Sequence, residues 1–531
     1  MIALELLVVL GAVIVIGTAV GRRTRIAPPI VLLLIGVALG SVPALRAVHL
    51  PPQLMLLVFL PALLYWESLT VSVREIRANL RGIVLSSTLL VVLTAWAVAA
   101  VAHALGVPWG PAWVLGAAVA PTDATAVGAM ARTLPRRTVT VLRAESLVND
   151  GTALVLYAVA VGVTVGSDHL AARHVAGLFA LAYLGGIAVG ALVAWLGVQG
   201  LRRVGDPLLG NTVTVLIPFS AYLLAEVVHA SGVLAVVVCG LVISQVGPRL
   251  DGALSRSQSN AFWTLTTFLV NGALFVLIGI EAHSAVRSLV STDLVTALVV
   301  GAGVYAVILV SRFVFLVASA YAIRAIDRRP SQRLRRVTNR SRLVSTVAGF
   351  RGAVSLAAVL AVPTTTASGA PFPDRDLLVF VTAGVVATTL VVQGLALPLA
   401  ARWARLRPDD DAQAAERLLA DRTATEEALS AIAQVATELG IDREVADRVR
   451  TEYFDHLLLL MARGAPGPEA EPAERRESQD AALRRALLAR KRATVVRLRD
   501  ERAIDDTVLR QVQARLDIEE LRLEREQLAL D

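Results

Sequence analysis

The stretch Glu145-Ser146-Leu147-Val148-Asn149-Asp150-Gly151-Thr152-Ala153-Leu154-Val155-Leu156-Tyr157 puts two acids, an amide and a hydroxyl at the head of an apolar run. On a helix, Glu145 and Asn149 are i,i+4 neighbours, as are Ser146 and Asp150. The two pairs occupy adjacent faces and form one polar stripe. In a soluble protein such a stripe would be a solvated face. Here the 531 residues are 56% hydrophobic and only 18% charged, with a mean hydropathy of +0.65. A chain of this size and composition has the bilayer as its solvent. A charge at the bilayer centre costs about 2.5 to 3.5 kcal/mol, so the stripe needs a reason to exist.

A membrane-crossing helix needs about 20 mostly apolar residues. Apolar runs cut by Gly, Pro and charged breaks predict thirteen spans, near 3–20, 27–45, 51–67, 80–105, 110–131, 138–165, 175–200, 208–228, 231–247, 260–281, 292–322, 343–363 and 375–404. The fold class is therefore an all-α polytopic membrane protein. Its transmembrane domain covers 1–404, and a charged, Ala/Leu-rich helical domain follows over 405–531, with helices near 411–439, 442–463, 475–503 and 505–528. The segment Ile2 to Val20 has no small-residue cleavage site before Gly21-Arg22-Arg23 and reads as a retained helix, not a signal peptide. Arginines alternate between loops. Arg22-Arg23-Arg25, Arg74-Arg77-Arg81, Arg132-Arg136-Arg137, Arg202-Arg203, Arg249-Arg256 and Arg324 to Arg342 share one side, which places the amino terminus outside and the tail in the cytoplasm. The same bias accounts for the net charge of +8 without a nucleic-acid partner. The single cysteine, Cys239, excludes an intrachain disulfide.

Thirteen spans accommodate an inverted repeat of six and six about a linker helix, which would pair span five with span twelve. Both carry helix breakers: Gly116, Pro121 and Gly128 in the first, Gly349 and Gly352 in the second. Two broken helices at matching positions point to a midplane site. Asp123, Glu145, Asp150 and Arg351 lie about 12 to 20 Å in from the arginine-rich side, a common depth on three spans. One arginine neutralises one acid, so Glu145 is expected to pair with Arg351 as a strut. Asp123 and Asp150 are then left as hard oxygen donors, with Ser146, Asn149 and a free carbonyl at Thr122, for an alkali cation. Glu5, Glu67, Glu226, Glu281 and Arg312 are expected to be structural, with Glu67 the first to test. Trp66, Trp109, Trp113, Trp263 and Trp403 are expected in interfacial belts.

The run Glu145 to Tyr157 resembles the signature of the electroneutral sodium/proton antiporters. Phe350-Arg351-Gly352-Ala353-Val354-Ser355 resembles their late arginine motif, Ala120-Pro121-Thr122-Asp123-Ala124-Thr125-Ala126-Val127 their first acidic motif, and Leu60-Pro61-Ala62-Leu63-Leu64-Tyr65-Trp66-Glu67 their third-span stretch. The resemblance implies a homodimer with a dimerisation domain (about 1–67 and 208–281) and a moving core (about 80–165 and 292–404). It implies a sodium ion among Asp123, Asp150, Ser146, Glu145 and the Thr122 carbonyl, with Asn149 shaping the site and Arg351 holding Glu145. Many members carry proline directly after the first acid, whereas Ala124 stands here.

The expected function is exchange of Na+ or Li+ for H+ across a bacterial inner membrane, by alternating access and with Asp150 carrying either ion. By the resemblance, a neutral amide at Asn149 implies one proton per sodium. No cofactor and no enzymatic activity are expected. Potassium/proton antiport is the nearest alternative, and a cation channel is the alternative of another class, although no filter loop is visible. A hydrolase would need a base beside a mid-span serine, and His103, His169, His174, His229 and His283 all lie at loop edges.

Overall fold

The computed structural model describes residues 2–24, 26–42, 55–130, 134–166, 177–247, 252–289, 292–326, 338–406, 410–464, 470–501, 512–513 and 516–520. Arg25, Arg132, Arg249, His169 and His174 lie outside the described residues, as do the side chains of Glu5 and Arg324 and most of the expected fourth tail helix. The chain divides into two compact units, Met1–Pro408 and Asp409–Asp531.

In the first unit the helices are α1 (Ile2–Thr24), α2 (Pro28–Gly40), α3 (Leu60–Thr70, entered through a π-helical turn at Met55–Phe59), α4 (Val73–Ser87), α5 (Leu89–Ala104), α6 (Trp109–Val119), α7 (Ala124–Met130) and α8 (Arg136–Val165). They continue as α9 (Gly186–Arg203), α10 (Pro207–Val227), α11 (Gly232–Val246), α12 (Ala253–Ser288), α13 (Leu294–Ile326), α14 (Asn339–Val347), α15 (Ala353–Leu360), α16 (Arg375–Thr388) and α17 (Gly394–Trp403), the last two joined by a π turn at Thr389–Gln393. Among the described residues, 7 helical stretches are long and apolar enough to cross a membrane, and shorter apolar helices accompany them at Pro28–Gly40, Leu57–Thr70, Trp109–Val119 and Gly232–Val246. Outside the helices, one isolated bridge, Thr365 to Pro371, is found among the described residues.

Local chemistry sets the ends. Ser72, Asp206, Ser231 and Thr338 each accept a backbone N–H of the helix they open, which satisfies donors that would otherwise be orphaned. The long helix α8 starts after Pro135 and stops at Gly166, whose φ of 89° is open to glycine at little cost. Its 30 residues extend about 45 Å, more than the bilayer core needs.

Two apolar clusters hold the first unit together. The larger joins α2, α5, α6 and α7 with α12 to α17; the smaller joins α3, α9, α10 and α11 with Trp263 of α12. The helix α8 enters both, with Leu142 and Ala160 in the first and Leu147 in the second. At the crossing of α2 and α12 the backbones touch. A Cβ on Gly36 would lie 2.1 Å from the Val276 carbonyl oxygen, and one on Gly279 would lie 2.2 Å from that of Leu33. Without a hydrophobic drive between helices in lipid, such close approach supplies the dispersion contact. Large apolar side chains face outward instead, Leu208 at 73% and Leu223 at 64% exposure among them, as a lipid-facing surface requires.

Trp263 departs from its expected place in an interfacial belt. It is 1% exposed, tilted against Tyr65 at 5.4 Å and stacked on Trp66 at 6.5 Å between ring centroids. The aromatic ledge of α3 gives it an apolar seat in the smaller cluster. Trp109 and Trp403 do remain exposed.

In the second unit, α18 (Asp410–Leu439) and α19 (Arg443–Gly464) are followed by α20 (Ala470–Asp500). The helix α20 begins earlier than the expected 475, and Pro472 falls in its first turn, where a missing N–H leaves no bond unmade. Leu488 and Leu516 pack together with Val495 and Val512, and exposed ion pairs flank them, Lys491 with Glu519 and Arg492 with Asp517 and Glu520.

The glycine contact between α2 and α12 gives a direct test of the packing. Gly279→Ala must push two backbones apart and should destabilise the purified protein by about 1 to 3 kcal/mol, read as a lower melting temperature in detergent. Gly11→Ala, with nothing within 4 Å of the added methyl, should leave it level or slightly higher.

Candidate cation site

Both expected interruptions are present. The first separates α6 from α7 at 120–123, where Pro121 brings no N–H to the ladder. The second separates α14 from α15 at 348–352, where Gly352 is extended with φ −145° and ψ −152°. In the membrane each freed backbone group needs a partner inside the protein, and the two breaks supply one another. The Asp123 N–H donates to the Phe350 carbonyl at 2.9 Å, and Arg351 Nη1 donates to the Ala120 carbonyl at 2.8 Å. The Arg351 N–H donates to Thr389 Oγ1 at 3.1 Å, in the π turn of the neighbouring helix. A Cβ on Gly352 would fall 1.7 Å from Asp123 Oδ2, so only glycine lets the breaks approach this closely.

The charges follow the helix ends. Asp123 Oδ1 accepts from the Thr125 N–H at 2.8 Å, the Thr125 hydroxyl at 2.6 Å and the Ala126 N–H at 3.3 Å, which caps the positive end of α7. Arg351, 1% exposed, serves the opposite end, the carbonyl terminus of α6.

Glu145 has a different partner from the one expected. Arg312 Nη1 donates to Glu145 Oε1 at 2.6 Å, and Arg312 Nε donates to the Ser345 carbonyl at 3.2 Å. The pairing of Glu145 with Arg351 is thus corrected to Glu145 with Arg312. The reason is that Arg351 is committed to the broken helix, while Arg312 stands mid-helix in α13 and reaches α8. Held in this way, Glu145 does not line the cavity described next.

The polar stripe of α8 meets the first break through Thr122. Its hydroxyl lies 2.7 Å from Ser146 Oγ and accepts from Asn149 Nδ2 at 2.7 Å. Asn149 therefore ties α8 to the broken segment. Asp150, one residue on, has no hydrogen bond or ion pair among the described residues, is 6% exposed, and lines a cavity of about 50 Å³ with Glu67, Thr122, Asp123, Thr125 and Ser355. That volume holds a few waters or one partly hydrated ion.

Glu67, expected to be structural and the first to test, lines this cavity with Oε2 buried and without a hydrogen-bond partner. Its signal was the third-span stretch in which it stands. Three carboxylates therefore share one chamber, and the charge of Arg351 reaches Asp150. Among the described residues no three acidic, His or Cys side chains converge tightly enough to form a metal cluster by themselves. The chamber suits a cation that keeps hydroxyl, carbonyl and water ligands beside the acids. An ionised carboxylate buried without a direct ion pair costs several kcal/mol, and a proton or a bound cation would remove that cost at Asp150.

A helical membrane protein with two crossed breaks and unpaired acids between them is built as an ion transporter. Residues 9–403 match the family model described as sodium/hydrogen exchanger, transmembrane. A relative from Mycobacterium tuberculosis, named an uncharacterized Na(+)/H(+) exchanger, is 45% identical over 522 residues, covering 98% of this chain and 96% of its own. A Bacillus subtilis relative named sodium, potassium, lithium and rubidium/H(+) antiporter is 28% identical over 408 residues, covering 74% of this chain and 60% of its own. In fold, the chain is similar to the sodium proton antiporter MjNhaP1 of Methanocaldococcus jannaschii at pH 8, with a TM-score of 0.58 and 20% identity over 76% of this chain and 99% of that one. The chain belongs to the sodium/hydrogen exchanger family, a family of transporters that span the membrane many times.

The strut can be checked by unfolding. Arg312→Gln leaves the Glu145 carboxylate buried alone and should destabilise the protein by about 3 to 5 kcal/mol. Arg312→Gln combined with Glu145→Gln should recover a large part of this, because no unpaired charge remains. Thermal melts of the purified variants in detergent compare them.

Proposed function

We propose that this chain exchanges sodium, or lithium, for protons across a bacterial plasma membrane by alternating access, and that Asp150 is the group for which the two ions compete. The observation that carries this reading is the position of Asp150: buried, without a partner, and facing Asp123 and Glu67 across a cavity at the helix breaks. The cation takes oxygens from Asp150, Asp123 and Glu67, with Thr122 and Ser146 beside them. Asn149, engaged with Thr122, keeps its position neutral, in line with one proton per sodium. The amino terminus is outside and the tail in the cytoplasm. Two copies pair through helices of 1–67 and 208–281, while 80–165 and 292–404 carry the site between the two faces.

Competition at one carboxylate yields coupling without further machinery. A protonated Asp150 is neutral and can cross between the two open states. A sodium-bound Asp150 is also neutral and can cross. The bare carboxylate, uncompensated in low dielectric, does so far more rarely. Potassium transport is the second reading, supported by the several ions in the name of the Bacillus subtilis relative.

In proteoliposomes with an imposed pH gradient, sodium should be driven uphill, and valinomycin-clamped voltage should leave the rate nearly unchanged. Asp150→Asn should abolish the exchange at an unchanged melting temperature. Exchange retained in that variant would overturn the assignment of Asp150. Downhill-only flux would assign a channel, and potassium driven in place of sodium would assign the second reading.

A further inference from the structure

The cavity at Asp150 is lined in part by α3, α7 and α8. A second pocket of about 300 Å³ opens between the same three helices. On α3, Glu67 lines the first pocket and Thr70 the second; on α7, Thr125 lines the first and Gly128 the second; on α8, Asp150 lines the first and Arg143 the second. All three shifts run toward the arginine-bearing segments at 72–77 and 134–137. The displacement is about one turn on α3 and α7 and about 10 Å on α8. The two pockets thus lie one after the other along the same helices, between the acidic chamber and the arginine-bearing segments.

Of the α8 residues that line the second pocket, Arg143 is the nearest in sequence to Asp150. Its guanidinium packs on the bare face of Gly128, where a Cβ would lie 2.7 Å from Nη2, and its Nε is buried with no hydrogen-bond partner. Its charge reaches Glu67, whose Oε2 also lacks a partner. No acid among the described residues forms an ion pair with Arg143, so its positive field is free to act along the path. A cation moving from the second pocket to the first has to pass that field.

Resting on the exchange reading above, we propose that Arg143 is an electrostatic gate on the cation path. Held between the mouth and Glu67, it competes with the incoming cation for the negative field of the acidic chamber and so sets the apparent sodium affinity on the arginine-loop face alone. The charge is what matters, since Nε is without a hydrogen-bond partner and no acid among the described residues pairs with the guanidinium. Gly128 provides the room that the side chain needs.

The test measures sodium-driven proton movement in everted and in right-side-out membrane vesicles, so that each face meets sodium in turn. Arg143→Gln should lower the half-saturating sodium concentration several-fold on the arginine-loop face and leave the opposite face as in the unaltered protein. Arg143→Lys, which keeps the charge, should hold the unaltered value on both. Arg143→Met keeps the aliphatic stem and repeats the measurement should the glutamine variant fail to fold. Half-saturation that is unchanged or raised on the arginine-loop face would overturn the gate, as would an equal shift on both faces. Failure of the exchange reading would look different, because the unaltered protein itself would then move no protons on sodium addition.

Discussion

Two hydrogen bonds between broken helices carry the site: the Asp123 N–H to the Phe350 carbonyl at 2.9 Å, and the Arg351 guanidinium to the Ala120 carbonyl at 2.8 Å. Within the hydrocarbon region a break in a helix is tolerated only where its loose backbone groups find partners in the protein. Here each break supplies the partners of the other. Gly352 permits the contact, since any side chain there would overlap the Asp123 carboxylate. The consequence is a fixed point from which half-helix ends of both signs emerge, with a carboxylate capping one positive end and a guanidinium serving a negative one.

The remaining charges divide into those the fold neutralises and those it leaves exposed to a cavity. Glu145 and Arg312, both deeply buried and 2.6 Å apart, cancel each other and hold α8 to α13. Arg351 is committed to a backbone carbonyl. Asp150 has no such partner, and neither does Glu67 Oε2. A buried ion pair and a buried lone acid differ in their need for solvent, and α8 carries both within two turns. In the same way Asn149, bound to Thr122, braces α8 next to the acid proposed to exchange.

Much of this was legible in the sequence, because bilayer physics writes itself plainly into it. Apolar runs marked the helices, and Pro121, Gly349 and Gly352 marked both breaks. Asp123 and Asp150 stood out because an acid in lipid has to be explained. What the sequence hid were long-range choices. Nothing local distinguishes Arg312 from Arg351 as the partner of Glu145, since the choice turns on which guanidinium a broken helix end has already claimed. Glu67 looked like one more acid near a span end, and only the packing of α3 against the break brings it into the chamber. Trp263 had the composition of a belt residue, but the aromatic ledge of Tyr65 and Trp66 gave it a buried seat. Arg143 lies inside the expected span 138–165 and drew no notice there, because its seat beside Gly128 is a tertiary contact.

The account stands on one claim: at Asp150 a proton and a cation exclude each other. Sodium added to the purified, detergent-solubilised protein in weakly buffered solution tests it without any transport step. The account predicts a release of protons that saturates with sodium at about one per chain and is lost when Asp150 is replaced by asparagine. Sodium binding with no proton release would contradict it.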